Sequence, residues 1–327
     1  MISVERLKEI LEGFNRVKIA VVGDMMLDEY LIGKVTRISP EAPVPIVNIE
    51  KERFVLGGAS NVANNLRTLS SQVSVYGVVG KDENGRKFVK ELEKKGIDSS
   101  GIVEDGSRPT IIKSRILSQG QQLLRLDWEK DTDIFREIQE KIVENVVGNI
   151  DSVDALLLSD YNKGVLTEYV TQSIIRAARK NNKKIIVDPK PHNFKNYTGA
   201  TSITPNKKEI LDYFRMKKFS GEEEIAEKMS LLKEELKLDN VVLTRSEEGV
   251  SLFEKKHKRI PTVAREVYDV TGAGDTFIST FLLAICAGAN LFEAGAVANM
   301  ASGIVVGKIG TATATKEEIL EFYNNIK

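Results

Sequence analysis

Residues 269–277, DVTGAGDTF, place three small residues, Gly272, Ala273 and Gly274, directly before a long apolar stretch that reads as a helix. With no bulky side chains there, backbone N–H groups can converge on one concavity at the helix N-terminus. Free donors and the helix dipole make such a concavity an anion site. Asp275 follows in the first turn. A carboxylate repels a bound anion, so anion binding alone disfavours an acid at this position. A general base that takes the proton from an attacking hydroxyl needs one. The plainer alternative is an acid favoured by the dipole after a glycine-rich turn.

Two further segments carry polar groups at useful spacing. In ITPNKKE, residues 203–209, Asn206 and Glu209 are three apart and share a helix face. An amide and a carboxylate there could hold the water shell of a Mg²⁺ that bridges nucleotide phosphates. The same pair also reads as a capping box, with Asn206 as N-cap and Glu209 at N3. In LGGASNVANNL, residues 56–66, Gly57 and Gly58 let a ligand approach the backbone, and Asn61 offers a donor and an acceptor. That suits a sugar, or simply a helix opened by glycines. Asp24 and Asp28 follow the first strand at its carboxyl end, where open α/β sheets bind ligands. Carboxylates there can accept hydrogen bonds from sugar hydroxyls.

The elements that must position these residues alternate along the chain. Near-continuous apolar runs at 17–23, 73–79, 154–159, 184–188 and 240–244 read as buried strands. Helical patterns lie between them, at 59–69, at 83–95 with Gly96 as the stop, at 168–180 and at 222–236. This pattern predicts an α/β fold with a mainly parallel sheet covered on both faces. Residues 34–54, with Pro40, Pro43 and Pro45, and residues 110–128, two strands around Gln119-Gly120, break the rhythm. Both are expected to form a small β lid on a single domain spanning 1–327.

Composition narrows the class. The 327 residues carry 47 basic and 47 acidic side chains, which argues against a dedicated nucleic-acid binder or a polybasic membrane protein. Cys286 is the single cysteine, so no internal disulfide forms, and a reducing compartment, the cytoplasm, is expected. With only His192 and His257 beside it, the sequence argues against a His/Cys zinc cluster, which leaves a hard ion held by oxygens as the expected metal. The apolar stretch 276–292 is shorter than the ~20 residues of a membrane span, and no export signal opens the chain. GIVVGKIG, 303–310, has three residues between its first glycines and Ile309 after its lysine, so it is no P-loop. The first strand ends Gly23-Asp24 without a dinucleotide fingerprint. The basic run 254–259 reads as a solvated hairpin turn.

Taken together, Gly-Gly-x-x-Asn, Asn-x-x-Glu and Asp-x-Thr-Gly-Ala-Gly-Asp, in that order, resemble the ribokinase-like (PfkB) carbohydrate kinases over essentially the whole chain. The resemblance implies a three-layer core with a β lid, ATP as phosphate donor and Mg²⁺ as cofactor. It casts Asp275 as base, Gly272–Gly274 as anion hole, and Asn206 and Glu209 as organisers of the metal. It places Lys207, Lys208, Thr244, Arg245, Gly249 and Asn299 on the nucleotide side. Strings such as RISPEAPVP and QQLLRLDWE are similar to the branch acting on D-glycero-β-D-manno-heptose 7-phosphate, and imply transfer to its C1 hydroxyl. Arg115, Arg125, Asp127, Lys163 and Lys190 fall in the matching segments and are expected at the sugar phosphate, beside Asp24, Asp28, Gly57, Gly58 and Asn61. Asn162 and Pro191 stand where that branch usually has glycine, and Thr280 where the family has Ala or Gly. A homodimer through the lid, and no further catalytic domain after residue 327, are also expected.

Overall fold

The computed structural model describes residues 2–264, 267–308 and 310–326. Its strands are β1 (Lys18–Gly23), β2 (Met25–Ile38), β3 (Pro45–Gly58), β4 (Gln72–Gly80), β5 (Asp98–Asp105), β6 (Ile111–Ser118), β7 (Gln121–Trp128), β8 (Ala155–Ser159), β9 (Lys184–Asp188), β10 (Ser202–Ile203), β11 (Asn240–Thr244), β12 (Val250–Phe253) and β13 (His257–Ile260). Nine of them form one sheet in the order β13-β12-β11-β10-β9-β8-β1-β4-β5. It is parallel except for the β11-β12-β13 meander, whose last turn holds the basic run read as a hairpin. Alternating side chains serve two cores. Ile19 and Val21 of β1 join one apolar cluster, while Ala20 and Val22 join the other. Such two-sided burial explains why these strands are unbroken apolar runs.

Six helices cover one face: α1 (Val4–Gly13), α2 (Ala59–Thr68), α3 (Glu83–Lys94), α8 (Ala273–Cys286), α9 (Leu291–Val305) and α10 (Lys316–Ile326). The other face packs α4 (Arg136–Gly148), α5 (Glu168–Lys180), α6 (Lys207–Tyr213) and α7 (Glu222–Glu235). Among the described residues, no helix is long and apolar enough to cross a membrane.

The lid is a second sheet, β3-β2-β6-β7. Its second half matches the expected pair around Gln119-Gly120. Its first half is wider than 34–54, because β2 begins at Met25, one residue beyond Asp24, and β3 runs to Gly58. The core strand thus passes almost directly into the lid and returns into α2. Gly58 makes that return possible: its φ is +53°, and a Cβ there would lie 2.7 Å from the Asp24 carbonyl oxygen.

Candidate active site

The sheet order reverses around β1, which lies between β4 and β8. Ligands in open α/β sheets bind outside the carboxyl ends of strands at such a point. Asp24 follows β1, Asp160 and Tyr161 follow β8, and Asp188 ends β9.

Gly272 is the N-cap of α8, with φ +78°, a left-handed conformation that glycine adopts without strain. It swings the backbone so that Ala273 and Gly274 open the helix and Asp275 lies in its first turn, buried. Asp275 Oδ2 accepts from Asn61 Nδ2 at 2.6 Å, and Oδ1 accepts from the Tyr161 hydroxyl at 2.8 Å. Burial pushes the Asp275 carboxyl above its usual range, while these two hydrogen bonds and the Lys190 charge oppose the rise. Loss of hydration, with the Asp275 and Asp188 charges, holds Tyr161 well above an ordinary phenol, so it stays a donor. Thr276 Oγ1 donates to Asn65 Oδ1 at 2.7 Å and Ser279 Oγ to the Val62 carbonyl at 3.2 Å, locking α8 on α2. Thr280 of α8 is fully buried, and its hydroxyl has no hydrogen-bond partner among the described residues.

Asp24 differs from the expectation of an open sugar contact. It is fully buried, and its oxygens accept from the backbone N–H groups of Tyr161, Lys163 and Val165 at 2.8, 3.1 and 3.2 Å. Burial and the neighbouring Asp160 lift its carboxyl to about 6, against those three bonds. Its structural work is to fasten the loop that carries Tyr161. Asp160 fastens the other side, accepting from Tyr197 Oη at 2.6 Å and Asn193 Nδ2 at 2.8 Å. Asn162 in this loop has φ +57°, which asparagine tolerates far better than most residues, so it can stand for glycine there. Pro191 occupies the first position of the 3-10 helix Pro191–Tyr197, where no backbone donor is lost. Asp28 and Gly57 sit on paired lid strands; a Cβ on Gly57 would lie 2.6 Å from Asp28 Oδ2.

On the far side, Asn206 and Glu209 make both bonds of a capping box, each 2.9 Å, so the structural alternative is realised. Glu209 Oε1 also accepts from Lys190 Nζ at 3.1 Å. Asp188 and Glu209 raise Lys190 above its usual value despite its desolvation. Asp188 itself is pushed well above the carboxylate range by loss of hydration, with Lys190 opposing. No group of three His, Cys, Asp or Glu that could cage a metal occurs among the described residues. The donors fit a Mg²⁺ carried by phosphates and water, since both Glu209 oxygens keep a spare lone pair.

Arg245 departs from the expected nucleotide contact. Its side chain is buried and donates to Glu222 at 2.8 and 2.5 Å and to Ser251 at 3.0 Å, with Glu248 alongside. Thr244 Oγ1 donates to the Pro205 carbonyl, Lys207 pairs with Glu248, Lys208 is exposed, and Asn299 Nδ2 donates to the Pro261 carbonyl. Gly249 closes the hairpin with φ +86°. The cations expected at the sugar phosphate are likewise paired. Arg115 pairs with Asp28 at 2.5 Å, Arg125 with Asp127 at 2.9 Å and Lys163 with Glu129 at 2.6 Å.

Sequence reasoning missed Tyr161, Asp160, Asp188, Lys113 and Glu129. The rule that pointed to Asp24, a polar residue at the carboxyl end of a buried strand, applies equally to Asp160 and Asp188. Lys113 stands two residues from Arg115, on the same face of β6.

Residues 16–318 match the family described as pfkB family carbohydrate kinase. The bifunctional protein HldE of Wolinella succinogenes is 43% identical over 316 residues, covering 97% of this chain and 66% of that protein. The protein of the same name from a Nitratiruptor species is 46% identical over 312 residues, covering 95% of this chain and 66% of that protein. This chain therefore spans about two thirds of the length of these curated relatives. Among solved structures, a ribokinase from Thermotoga maritima superposes with a TM-score of 0.71 at 23% identity, over 94% of this chain and 100% of that one. Phosphofructokinase-2 from Escherichia coli gives 0.77 at 16% identity, over 95% and 99%. The likeness to these two structures is one of fold.

Proposed function

The chain belongs to the PfkB family, the ATP-dependent carbohydrate kinases; from that premise we propose that it phosphorylates the C1 hydroxyl of D-glycero-β-D-manno-heptose 7-phosphate to the 1,7-bisphosphate. The observation that carries the reaction is Asp275, a buried carboxylate in the first turn of α8 behind Gly272, Ala273 and Gly274. In this reading Asp275 takes the proton of the sugar hydroxyl as the hydroxyl oxygen attacks the γ-phosphorus of ATP in line, the bond to the β–γ bridging oxygen breaks and ADP leaves. Asn61 and Tyr161 hold the carboxylate in place from either side. Backbone N–H groups at the start of α8 receive the charge that develops on the transferred group. The lid, continuous with β1 through β2, excludes water over the sugar. Asn206 and Glu209 would hold Mg²⁺ through its water shell, and bound Mg²⁺ would neutralise phosphate charge.

The phosphorylated sugar is supported by the strings shared with that branch and by Lys113 and Arg115 on lid strand β6 with Lys163 in the core loop after β8. Because each of these cations already has a carboxylate partner, a docking phosphate exchanges partners instead of meeting bare charges. The net gain is then about that of one charge-assisted hydrogen bond, ~1.5–3 kcal/mol. The test is kcat/KM for the heptose with and without its 7-phosphate, at matched ionic strength. A preference of about tenfold or more for the phosphorylated sugar is expected. Equal values overturn the assignment, and a panel with ribose, fructose phosphate and ketodeoxy sugar acids then identifies the family substrate. Leu124 and Trp128 on β7 and Ile38 on β2 are exposed, which supports pairing of two lids in a homodimer. Light scattering that gives a monomer mass at micromolar concentration overturns that pairing.

A further inference from the structure

Glu129 lies one residue past β7, and its carboxylate bridges two lysines. Oε1 accepts from Lys163 Nζ at 2.6 Å and Oε2 accepts from Lys113 Nζ at 2.9 Å. Lys113 belongs to lid strand β6, on the face that also carries Arg115. Lys163 belongs to the core loop, two residues after Tyr161, whose hydroxyl holds Asp275. One carboxylate thus ties the lid to the core at the loop whose Tyr161 hydroxyl holds the candidate base. The three side chains are only 22%, 16% and 18% exposed, so this is no solvated surface pair. Two ammonium groups converging on a pair of oxygens is the arrangement a phosphate monoester takes, and the carboxylate supplies it with one negative charge fewer.

We propose that Glu129 is a specificity-determining residue: in the empty enzyme its carboxylate occupies the place of the substrate's phosphate between Lys113 and Lys163, and it gives way when a phosphorylated sugar docks. This rests on the phosphosugar reading above. A neutral sugar has nothing to offer the two ammonium groups and leaves the carboxylate in place. A dianionic phosphate outcompetes it and takes over the link between lid and core. Glu129 therefore sets the threshold that an anion must exceed, which keeps weaker anions from displacing it between the two lysines.

Inorganic phosphate, as a competitive inhibitor against the phosphorylated sugar, is the probe. Glu129→Gln keeps the size and removes the carboxylate shared by both lysines, leaving Asp127 as the remaining partner of Lys113, so the inhibition constant of phosphate is expected to fall by roughly fivefold or more. The KM of the phosphorylated sugar should fall with it, while the KM of ATP stays within about twofold and reports an intact fold. Glu129→Asp keeps the charge but is too short to span both lysines, and is expected to move the constant the same way by less. On a Lys163→Met background the effect of Glu129→Gln should shrink, since one of the two contacts through which Glu129 acts is gone and only that to Lys113 remains. Unchanged or weaker phosphate inhibition in both Glu129 variants, with wild-type preference for the phosphorylated sugar intact, overturns the role of Glu129 alone. Wild-type indifference to the sugar's phosphate overturns the phosphosugar reading, and this proposal with it.

Discussion

Replacing Tyr161 by Phe removes one atom, the oxygen 2.8 Å from Asp275 Oδ1. That hydroxyl donates to the ionised carboxylate and so favours the charged form, partly offsetting the burial that raises Asp275. A buried hydrogen bond to a charged group contributes about 1.5–3 kcal/mol, which at 1.36 kcal/mol per decade is roughly 10- to 100-fold. The sign follows from the proposed role of Asp275 as base. Only ionised Asp275 can take the proton, so activity falls as pH drops through its pKa. Without the Tyr161 bond that pKa rises further, and the fall begins at a higher pH. Once ionised, the freed carboxylate is at least as basic, and Asn61 Nδ2 still orients it at 2.6 Å. The alkaline plateau of kcat/KM for the sugar should then stay within about threefold of wild type. Activity on the acid limb should drop by roughly 10- to 100-fold. The assay is ADP release coupled to a chromogenic reaction, recorded from about pH 5.5 to 9. An equal loss at every pH would show that Tyr161 acts through packing alone, and no loss at any pH would remove it from the site.

The remaining predictions concern the base, the metal and stability. Asp275→Asn keeps the Asn61 and Tyr161 neighbourhood but cannot take a proton, so kcat should fall by about 10²–10⁴ with ATP binding retained; near-native turnover would dismiss Asp275 as the base. Glu209→Gln keeps the shape of the capping box and removes a charge from Lys190 and the proposed metal shell. A higher Mg²⁺ requirement is expected, and an unchanged Mg²⁺ titration with a lower melting temperature would leave Glu209 only its capping role. The Asp24 carboxyl rises from 3.8 to about 6 on folding, so the folded protein keeps a proton that the unfolded chain releases between those values. Its contribution to stability is therefore full below the lower value and lost as pH rises through about 6, a change of about 3 kcal/mol. Denaturation curves of wild type and Asp24→Asn should diverge across that window, and parallel curves would contradict the assignment.

Much of the fold was legible along the chain because its causes are local. Strands β9 and β11 lie where their apolar runs predict, since strands buried on both faces have no polar side to blur their ends. The turn before Asp275 was legible for the same reason: a left-handed N-cap at Gly272 and an acid in the first turn are properties of a few consecutive residues. The spacing of Asn206 and Glu209 predicts a shared helix face, but spacing alone does not separate a cap from a metal shell. The closed capping box shows that the first holds.

Other features depended on which distant groups the sheets bring together. Tyr161 lies 114 residues from Asp275, and Asn61 lies 214 residues away. Nothing in either segment announces that the two side chains share one carboxylate. Asp24 looked like a ligand contact because of its place at a strand end, yet the loop after β8 wraps over it and satisfies it with backbone N–H groups. The sugar-side cations looked free because charge was counted residue by residue. In the folded chain Arg115 finds Asp28 across paired lid strands and Lys163 finds Glu129 across the lid–core junction. A sequence states which charges exist. Coulomb energy depends on their separation and on the water left around them, and both are set only when lid and core close on each other.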